Sequence, residues 1–205
     1  MRVKLLLLLI AMPVAMASAQ LSGRGYIVSL EGDTLEGFIQ VEKKSFYDVV
    51  KYKKNKEDRF EKFQVSNLYR IIIKDKIYEN LFMNTGTMRG SKAHSSKLCL
   101  CLVDGFVKLY KENPLMFYSS SSNLYLSGKN SREFEDNFYV MNGNKDAREI
   151  RRKSFVKQSQ KALSEYNVIV QSIREKKYGY EDLVNIVNDC NRLYYEKRLN
   201  LDSQD

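Results

Sequence analysis

Histidine is almost absent from this chain, since His94 is the only one among 205 residues. Nucleophilic triads and most protein metal sites use histidine as a base or as a ligand. His94 itself lies in a stretch, residues 83–96, whose Gly, Ser, Thr and Asn content is typical of a loop. The sequence therefore favours a protein that is not an enzyme, and it assigns no catalytic residue, cofactor site or metal site.

Cysteine is scarce and odd in number: Cys99, Cys101 and Cys190. On a regular strand Cys99 and Cys101 point the same way about 6.6 Å apart, whereas a disulfide needs about 3.8 Å between Cβ atoms. We therefore expect no bond between these two, and whether Cys190 pairs with either stays open. A Cys99 or Cys101 nucleophile with His94 as its base is a further hypothesis, since these residues are close in the sequence.

Long apolar runs are missing after residue 19, so we do not expect an integral membrane protein. Before that point, Arg2 and Lys4 precede an apolar run at residues 5–15, and small residues follow at Ala17 and Ala19. This order predicts a signal peptide over residues 1–19. The mature protein is then exported and soluble, in the periplasm or outside the cell, or peripheral to the outer membrane.

Acidic residues are outnumbered, because 34 Lys and Arg face 25 Asp and Glu for a net charge of +9. Loss of Arg2 and Lys4 with the signal peptide reduces this charge to +7. The excess favours an anionic envelope surface or another envelope protein as partner. Nucleic acid is not expected, because the chain carries an export signal and no recognition motif. Basic residues are densest in two groups: Lys51, Lys53, Lys54 and Lys56, and Arg148, Arg151, Arg152, Lys153, Lys157 and Lys161.

Tryptophan is absent, which leaves the 14 tyrosines as the amphipathic contact residues. Three of them adjoin Ser- and Asn-rich stretches, and three arginines follow in the second basic group. The candidate ligand surface is therefore Tyr118, Tyr125, Tyr139, Arg148, Arg151 and Arg152.

The fold class predicted is α+β. Residues 20–142 alternate with period two between turn signals, which indicates an antiparallel sheet or a barrel-like domain of many short hairpin strands. The Asp104-Gly105 pair predicts a type I′ hairpin with positive φ at both positions. In residues 143–205 the period changes to about 3.6, which predicts a C-terminal helical segment packed on the β domain. Its apolar stripes are Phe155, Ser159, Ala162, Tyr166, Ile169 or Val170, and Ile173, then Leu183, Val187, Cys190 and Tyr194.

Several segments of the chain follow one order. A Gly-x-Ile segment at residues 25–27 precedes a Gly-Asp-Thr-Leu-x-Gly hairpin at residues 32–37, and further segments follow at residues 102–110, 163–166 and 182–191. This order resembles a recurring pattern in uncharacterised secreted proteins of Bacteroidota, in which the last two segments are similar to paired C-terminal helices. The resemblance implies an N-terminal β-hairpin and a helical pair, and it implies no activity or site.

Three functions compete at this point. The first is a noncatalytic binding or accessory protein of the envelope. The second is a hydrolase that acts on envelope glycans with two carboxylates facing each other across a cleft. The third is a structural subunit of an envelope complex that docks through its C-terminal helices. Adjacent acidic residues occur at Glu57 with Asp58, at Glu133 with Glu135 and Asp136, and at Glu181 with Asp182.

Overall fold

The computed structural model describes residues 21–43, 48–88, 91–112 and 137–203. The predicted signal peptide and the strands predicted between residues 114 and 126 lie outside these ranges. The described strands are β1 (Leu21–Ser29), β2 (Thr34–Lys43), β3 (Asp48–Lys53), β4 (Glu61–Gln64), β5 (Leu68–Ile73), β6 (Lys76–Met88), β7 (Ser91–Val103), β8 (Val107–Glu112), β9 (Phe138–Asn142) and β10 (Arg148–Ile150). The helices are α1 (Phe155–Ala162), α2 (Asn167–Arg174) and α3 (Leu183–Asp202).

All described strands form one antiparallel sheet with the order β10-β9-β8-β7-β6-β5-β1-β2-β3-β4. Neighbours along the chain pair with each other except at one place. After β4, a 3-10 turn at Val65–Asn67 returns the chain so that β5 pairs with β1. The α+β prediction is confirmed, with a sheet whose ends are β4 and β10.

One face of the sheet carries two hydrophobic cores. The first, which we call the sheet core, is formed by strands β1 to β7 and the turn at Val65: Ile27, Ile39, Val41, Val50, Tyr52, Val65, Leu68, Ile71, Ile73, Tyr78 and Leu98. The second, the helix-covered core, joins β8, β9 and β10 to the three helices through Val107, Leu109, Val140, Ile150, Phe155, Ile173, Leu183, Ile186 and Val187, among others. The C-terminal helices therefore pack on the sheet, as predicted.

Both predicted helical stripes are buried in the helix-covered core, except that Tyr194 is only partly buried. The first stripe belongs to two helices, because α1 ends at Ala162 and α2 begins at Asn167. The helical segment also begins later than the boundary at residue 142 predicts. Residues 148–150 form β10, which pairs with β9 and places Ile150 under α1.

The prediction of a loop at residues 83–96 is wrong, because the backbone of β6 continues to Met88 and that of β7 starts at Ser91. The register pairs Asn84 with His94 and shifts between Asn84 and Thr87, next to Gly86. Each residue added to an existing antiparallel pair satisfies further backbone groups, so a ladder can extend through residues of low strand propensity.

The type I′ prediction at Asp104-Gly105 is also wrong. Positive φ occurs instead at Lys74 and Asp75, with values of 51° and 63°, in the two-residue turn between β5 and β6. Neither Asp104 nor Gly105 has positive φ. The register between β7 and β8 shifts between Cys101 and Val103, so the chain reverses through a longer loop there.

Candidate functional site

A buried group of charges lies on the face of the sheet opposite the two cores. Its centre is Glu79 of β6, which is 2% exposed and pairs in register with Cys99 of β7 and Arg70 of β5. The Arg70 guanidinium and the Lys108 ammonium of β8 both form ion pairs with the Glu79 carboxylate, Lys108 at 3.1 Å. The Tyr110 hydroxyl, from β8, donates to the same carboxylate at 2.5 Å.

Asp104 in the β7–β8 loop completes this group, which we call the Glu79 network (Glu79, Arg70, Lys108, Tyr110 and Asp104). Its carboxylate accepts from Arg70 at 3.3 Å and from Lys108 at 3.0 Å. Two carboxylates therefore neutralise two cations, which is what burial of charge requires. Glu79 is not among the residues predicted from the sequence, although its place in the largely apolar segment Ile77-Tyr78-Glu79-Asn80-Leu81 is a signal for a buried glutamate.

A second carboxylate with little exposure, that of Glu112 of β8, lies on the same face as Glu79. It accepts from Lys97 at 3.0 Å, from Asn137 at 2.9 Å and from the Tyr139 hydroxyl at 3.2 Å. Burial alone would raise the pKa of Glu112, but the hydrogen bonds from Asn137 and Lys97 outweigh burial and lower that pKa. Glu112 is therefore an ionised acceptor rather than a proton donor at neutral pH.

The cysteines have the surroundings of structural rather than reactive thiols. Burial, followed by the nearby Glu79 carboxylate, raises the pKa of Cys101 to about 12, and burial raises that of Cys190 to about 12. Both are therefore protonated at neutral pH and poor nucleophiles. No disulfide joins the three cysteines, all of which lie in the described ranges. The prediction that Cys99 and Cys101 do not bridge is confirmed.

The structure does not bring His94 next to the thiols. His94 lies five residues before Cys99 on β7, which separates their Cα atoms by about 17 Å at roughly 3.3 Å per residue. A hydrogen bond between nucleophile and base requires about 3 Å. The hypothesis of a cysteine nucleophile with His94 as its base is therefore wrong.

The adjacent acidic residues do not form a facing pair where the structure describes them. Glu57 and Asp58 lie exposed in the β3–β4 turn. Glu181 pairs with Arg152, and Asp182 accepts from the Gly179 amide at 2.8 Å in the turn before α3. Glu133, Glu135 and Asp136 lie outside the described residues.

Among the six residues of the predicted ligand surface, Arg148, Arg151 and Arg152 come together where β10 leads into α1. All three are exposed. Arg151 pairs with Glu149 at 2.6 Å, and Arg152 pairs with Glu181 and lies over the Tyr180 ring, 4.6 Å from its centroid.

The predicted tyrosines do not join these arginines as a surface platform. Tyr139 is 2% exposed, and its hydroxyl belongs to the Glu112 group. Its inclusion in an exposed ligand surface is therefore wrong, because its position on β9 places the ring on the buried part of the sheet. Tyr118 and Tyr125 lie outside the described residues.

Positive charge is concentrated around α1. Residues 148–174 contain seven basic and two acidic residues, a net of +5 out of the chain's +9. The two acids, Glu149 and Glu165, are already paired with Arg151 and Lys145. Three exposed lysines follow one another at four-residue spacing: Lys153 lies in the 3-10 turn before α1, and Lys157 and Lys161 lie on the outer side of α1. We call Arg148 and these three lysines the basic helix surface, and none of the four has an acidic partner within the described part of the chain.

The other basic group, at residues 51–56, mostly contacts neighbouring side chains of the fold. Lys51 pairs with Glu42 at 2.5 Å. Lys53 lies 4.9 Å from the centroid of the Phe60 ring, and Lys56 lies 5.9 Å from that of Phe38. The basic helix surface is thus the stronger candidate for binding an external anion.

A cleft of about 720 Å³ lies at the other end of the molecule, beside the β1–β2 turn. Ile27, Leu35 and Leu68 contribute apolar walls, and Glu31 and Asp33 lie at its rim. The apolar walls suit an apolar group, and Glu31 and Asp33 are the two acidic residues that line the cleft.

No helix among the described residues is both long enough and apolar enough to cross a bilayer. Comparisons with models of known families, with curated proteins and with solved structures found no match.

Proposed function

We propose that this chain is an exported protein of the cell envelope that binds a partner without catalysing a reaction, through the basic helix surface. The observation that carries the proposal is the distribution of charge. The little-exposed carboxylates of Glu79 and Glu112 form ion pairs with cations inside the fold, whereas the exposed cations of the basic helix surface are not neutralised by an acidic partner within the described residues. Unneutralised surface charge attracts partners of the opposite sign.

The partner class that follows is an anionic component of the envelope, either a surface or a protein. Export rests on the order of basic, apolar and small residues in residues 1–19. The packing of α1 supports the binding role, because its own residues Phe155, Ser159 and Ala162 are buried against the fold, so Lys157 and Lys161 lie on the opposite, exposed side of the helix.

The hydrolase alternative has less support. A glycosidase needs one carboxylic acid that stays protonated until it donates to the leaving group. The lowered pKa of Glu112 is the opposite of that requirement. Glu79 accepts hydrogen bonds from Arg70, Lys108 and Tyr110, so its oxygens are occupied by internal donors.

A structural subunit is the second candidate, and the end of α3 favours it. Tyr195, Leu199 and Leu201 are 49%, 66% and 57% exposed there. Apolar side chains on the final turns of a helix can dock into a groove of another protein.

Photo-cross-linking in the native cell tests the proposal and separates the two candidates. A photoreactive residue at Gln160, between the lysines of α1, should capture an envelope component, whereas one at Asp75, in the β5–β6 turn, should not. Capture from Leu199 with none from Gln160 would favour the structural subunit. Recovery of the protein in the cytoplasm with residues 1–19 intact would contradict export.

A further inference from the structure

The lysines of the basic helix surface lie on the outside of α1 and of the turn that leads into it, which limits what they can bind. Lys157 and Lys161 are four residues apart on α1, or about 6 Å along the helix axis, and Lys153 lies in the 3-10 turn before Phe155. Side chains on the outer side of a helix diverge. Three ammonium groups arranged in this way cannot converge on a single small anion, but each can contact a separate charge on an extended surface.

The chain offers few competing charges next to these lysines. Glu149 pairs with Arg151, Glu165 with Lys145 and Glu181 with Arg152. No acidic residue occurs between positions 150 and 164. An approaching anionic surface would therefore meet attraction along the whole length of α1.

Exposed apolar side chains occur on α1, beside its lysines, and on the following helix α2. Val156 of α1 is 42% exposed, and Val168 of α2 is 69% exposed. At a lipid interface a lysine reaches the headgroup while a neighbouring apolar side chain meets the acyl boundary. A soluble polyanion offers the lysines the same charges but gives the valines no apolar contact.

We infer that the basic helix surface binds the phosphate headgroups of an anionic membrane, with α1 lying along the surface and Val156 at the acyl boundary. This inference rests on the proposed function and identifies its partner as lipid. The binding is peripheral, since the cations contribute most of the attraction to the membrane. We therefore expect the affinity to fall as the salt concentration rises and screens these charges.

Vesicle co-sedimentation of the purified protein tests the inference. We expect binding to vesicles that contain phosphatidylglycerol, little binding to pure phosphatidylcholine vesicles, and a loss of affinity as the salt concentration rises. The triple change Lys153→Gln, Lys157→Gln and Lys161→Gln should weaken binding roughly 100-fold, since each lysine near an anionic surface contributes about fivefold.

A matched triple change tests whether position or net charge matters. Lys54→Gln, Lys56→Gln and Lys62→Gln remove the same charge from exposed positions around the β3–β4 turn. This variant should lose only a few-fold in affinity. Equal losses in the two triple variants would overturn the assignment to α1, because net charge alone would then explain binding.

Val156→Ser and a soluble polyanion distinguish lipid from glycan. Val156→Ser should weaken vesicle binding severalfold and leave binding to dextran sulfate unchanged. No binding to anionic vesicles, or tight dextran sulfate binding with no effect of Val156→Ser on vesicles, would overturn the membrane inference. Capture of an envelope protein from Gln160 in that case would leave the proposed function standing, and failure of both experiments would reject both.

Discussion

Glu112 shows how single residues maintain charge inside this sheet. Its side chain is 11% exposed, and three donors from neighbouring strands or their ends surround it. Lys97 gains from the same contact: burial alone would lower the pKa of the lysine, but the hydrogen bond to Glu112 raises it. The pair is therefore stabilised in its charged form, and its contribution to folding depends on pH.

The pKa of Glu112 is lowered from an ordinary value of 4.5, so the native state holds its proton less tightly than the unfolded chain. Its contribution to stability is complete above that ordinary value and is lost as the pH falls through the lower native pKa. Replacing Glu112 with Gln removes this titration. We expect the difference in unfolding free energy between wild type and Glu112→Gln to shrink as the pH falls below 4.5.

Urea unfolding at a series of pH values measures this effect. Tyr139→Phe provides the matched comparison, since it keeps the carboxylate but removes one of its donors. This variant should keep a reduced pH dependence, between those of wild type and Glu112→Gln. A gap between wild type and Glu112→Gln that stays constant through acid would contradict the assignment.

The surroundings of such polar residues within the sheet could not be predicted from the sequence. The sequence predicts an exposed Tyr139 because the residue adjoins a stretch rich in Ser and Asn, but the strand register places it beside Glu112. Asp104-Gly105 has the composition of a type I′ turn, yet a bulge after Cys101 changes the loop and brings Asp104 to Arg70 and Lys108. Contacts between distant strands decided both outcomes.

At the scale of elements, α3 is held to the sheet by one polar contact as well as by apolar packing. The Asn191 side chain accepts from the Val107 amide at 2.7 Å and donates to the Val107 carbonyl at 2.8 Å. The Asn191 amide thus satisfies both backbone groups of one β8 residue, as the backbone of a neighbouring strand would. The contact also explains why residue 105 is a glycine, because a Cβ there would lie 2.6 Å from the Asn191 amide nitrogen.

Asn191→Ala should destabilise the fold, because it leaves a buried amide and a buried carbonyl without partners. Each such group costs about 1–3 kcal/mol, so for two groups we expect a loss of roughly 2–6 kcal/mol in unfolding free energy. Asn188→Ala, on the exposed side of the same helix, serves as control and should change stability by less than about 0.5 kcal/mol. Equal effects in denaturant titrations would show that Asn191 contributes no more than helix propensity.

Elements with strong periodicity were the predictable ones. The stripes through Phe155, Ile173 and Val187 identified both the helices and their buried sides. The extension of β6 and β7 through residues 83–96 and the three-residue strand β10 were not predictable from composition. Both exist because an adjacent strand offers backbone hydrogen-bond partners. The pattern of residue types within one segment contains no information about such a partner strand.

At the scale of the whole molecule, the two cores occupy different parts of the sheet and use different partners. The sheet core is formed by strands β1 to β7 and the turn at Val65, whereas the helix-covered core needs α1, α2 and α3. The Glu79 network joins the two regions on the opposite face. It connects β5 and β6, which contribute to the sheet core, with β8, which carries Val107 and Leu109 of the other core.

Removal of the Glu79 carboxylate should therefore destabilise the molecule as a whole. Glu79→Ala leaves the charges of Arg70 and Lys108, 22% and 15% exposed, without their central partner. Loss of one member of a buried ion pair costs about 3–5 kcal/mol. We expect a lower midpoint in a single thermal transition, and equal losses of hydrogen-exchange protection at Val50 of the sheet core and at Val187 of the helix-covered core. Glu36→Ala is the control, because its ion pair with Arg24 is exposed and worth at most about 1 kcal/mol. Loss of protection at only one of the two valines would show that the cores unfold separately and that the Glu79 network does not couple them.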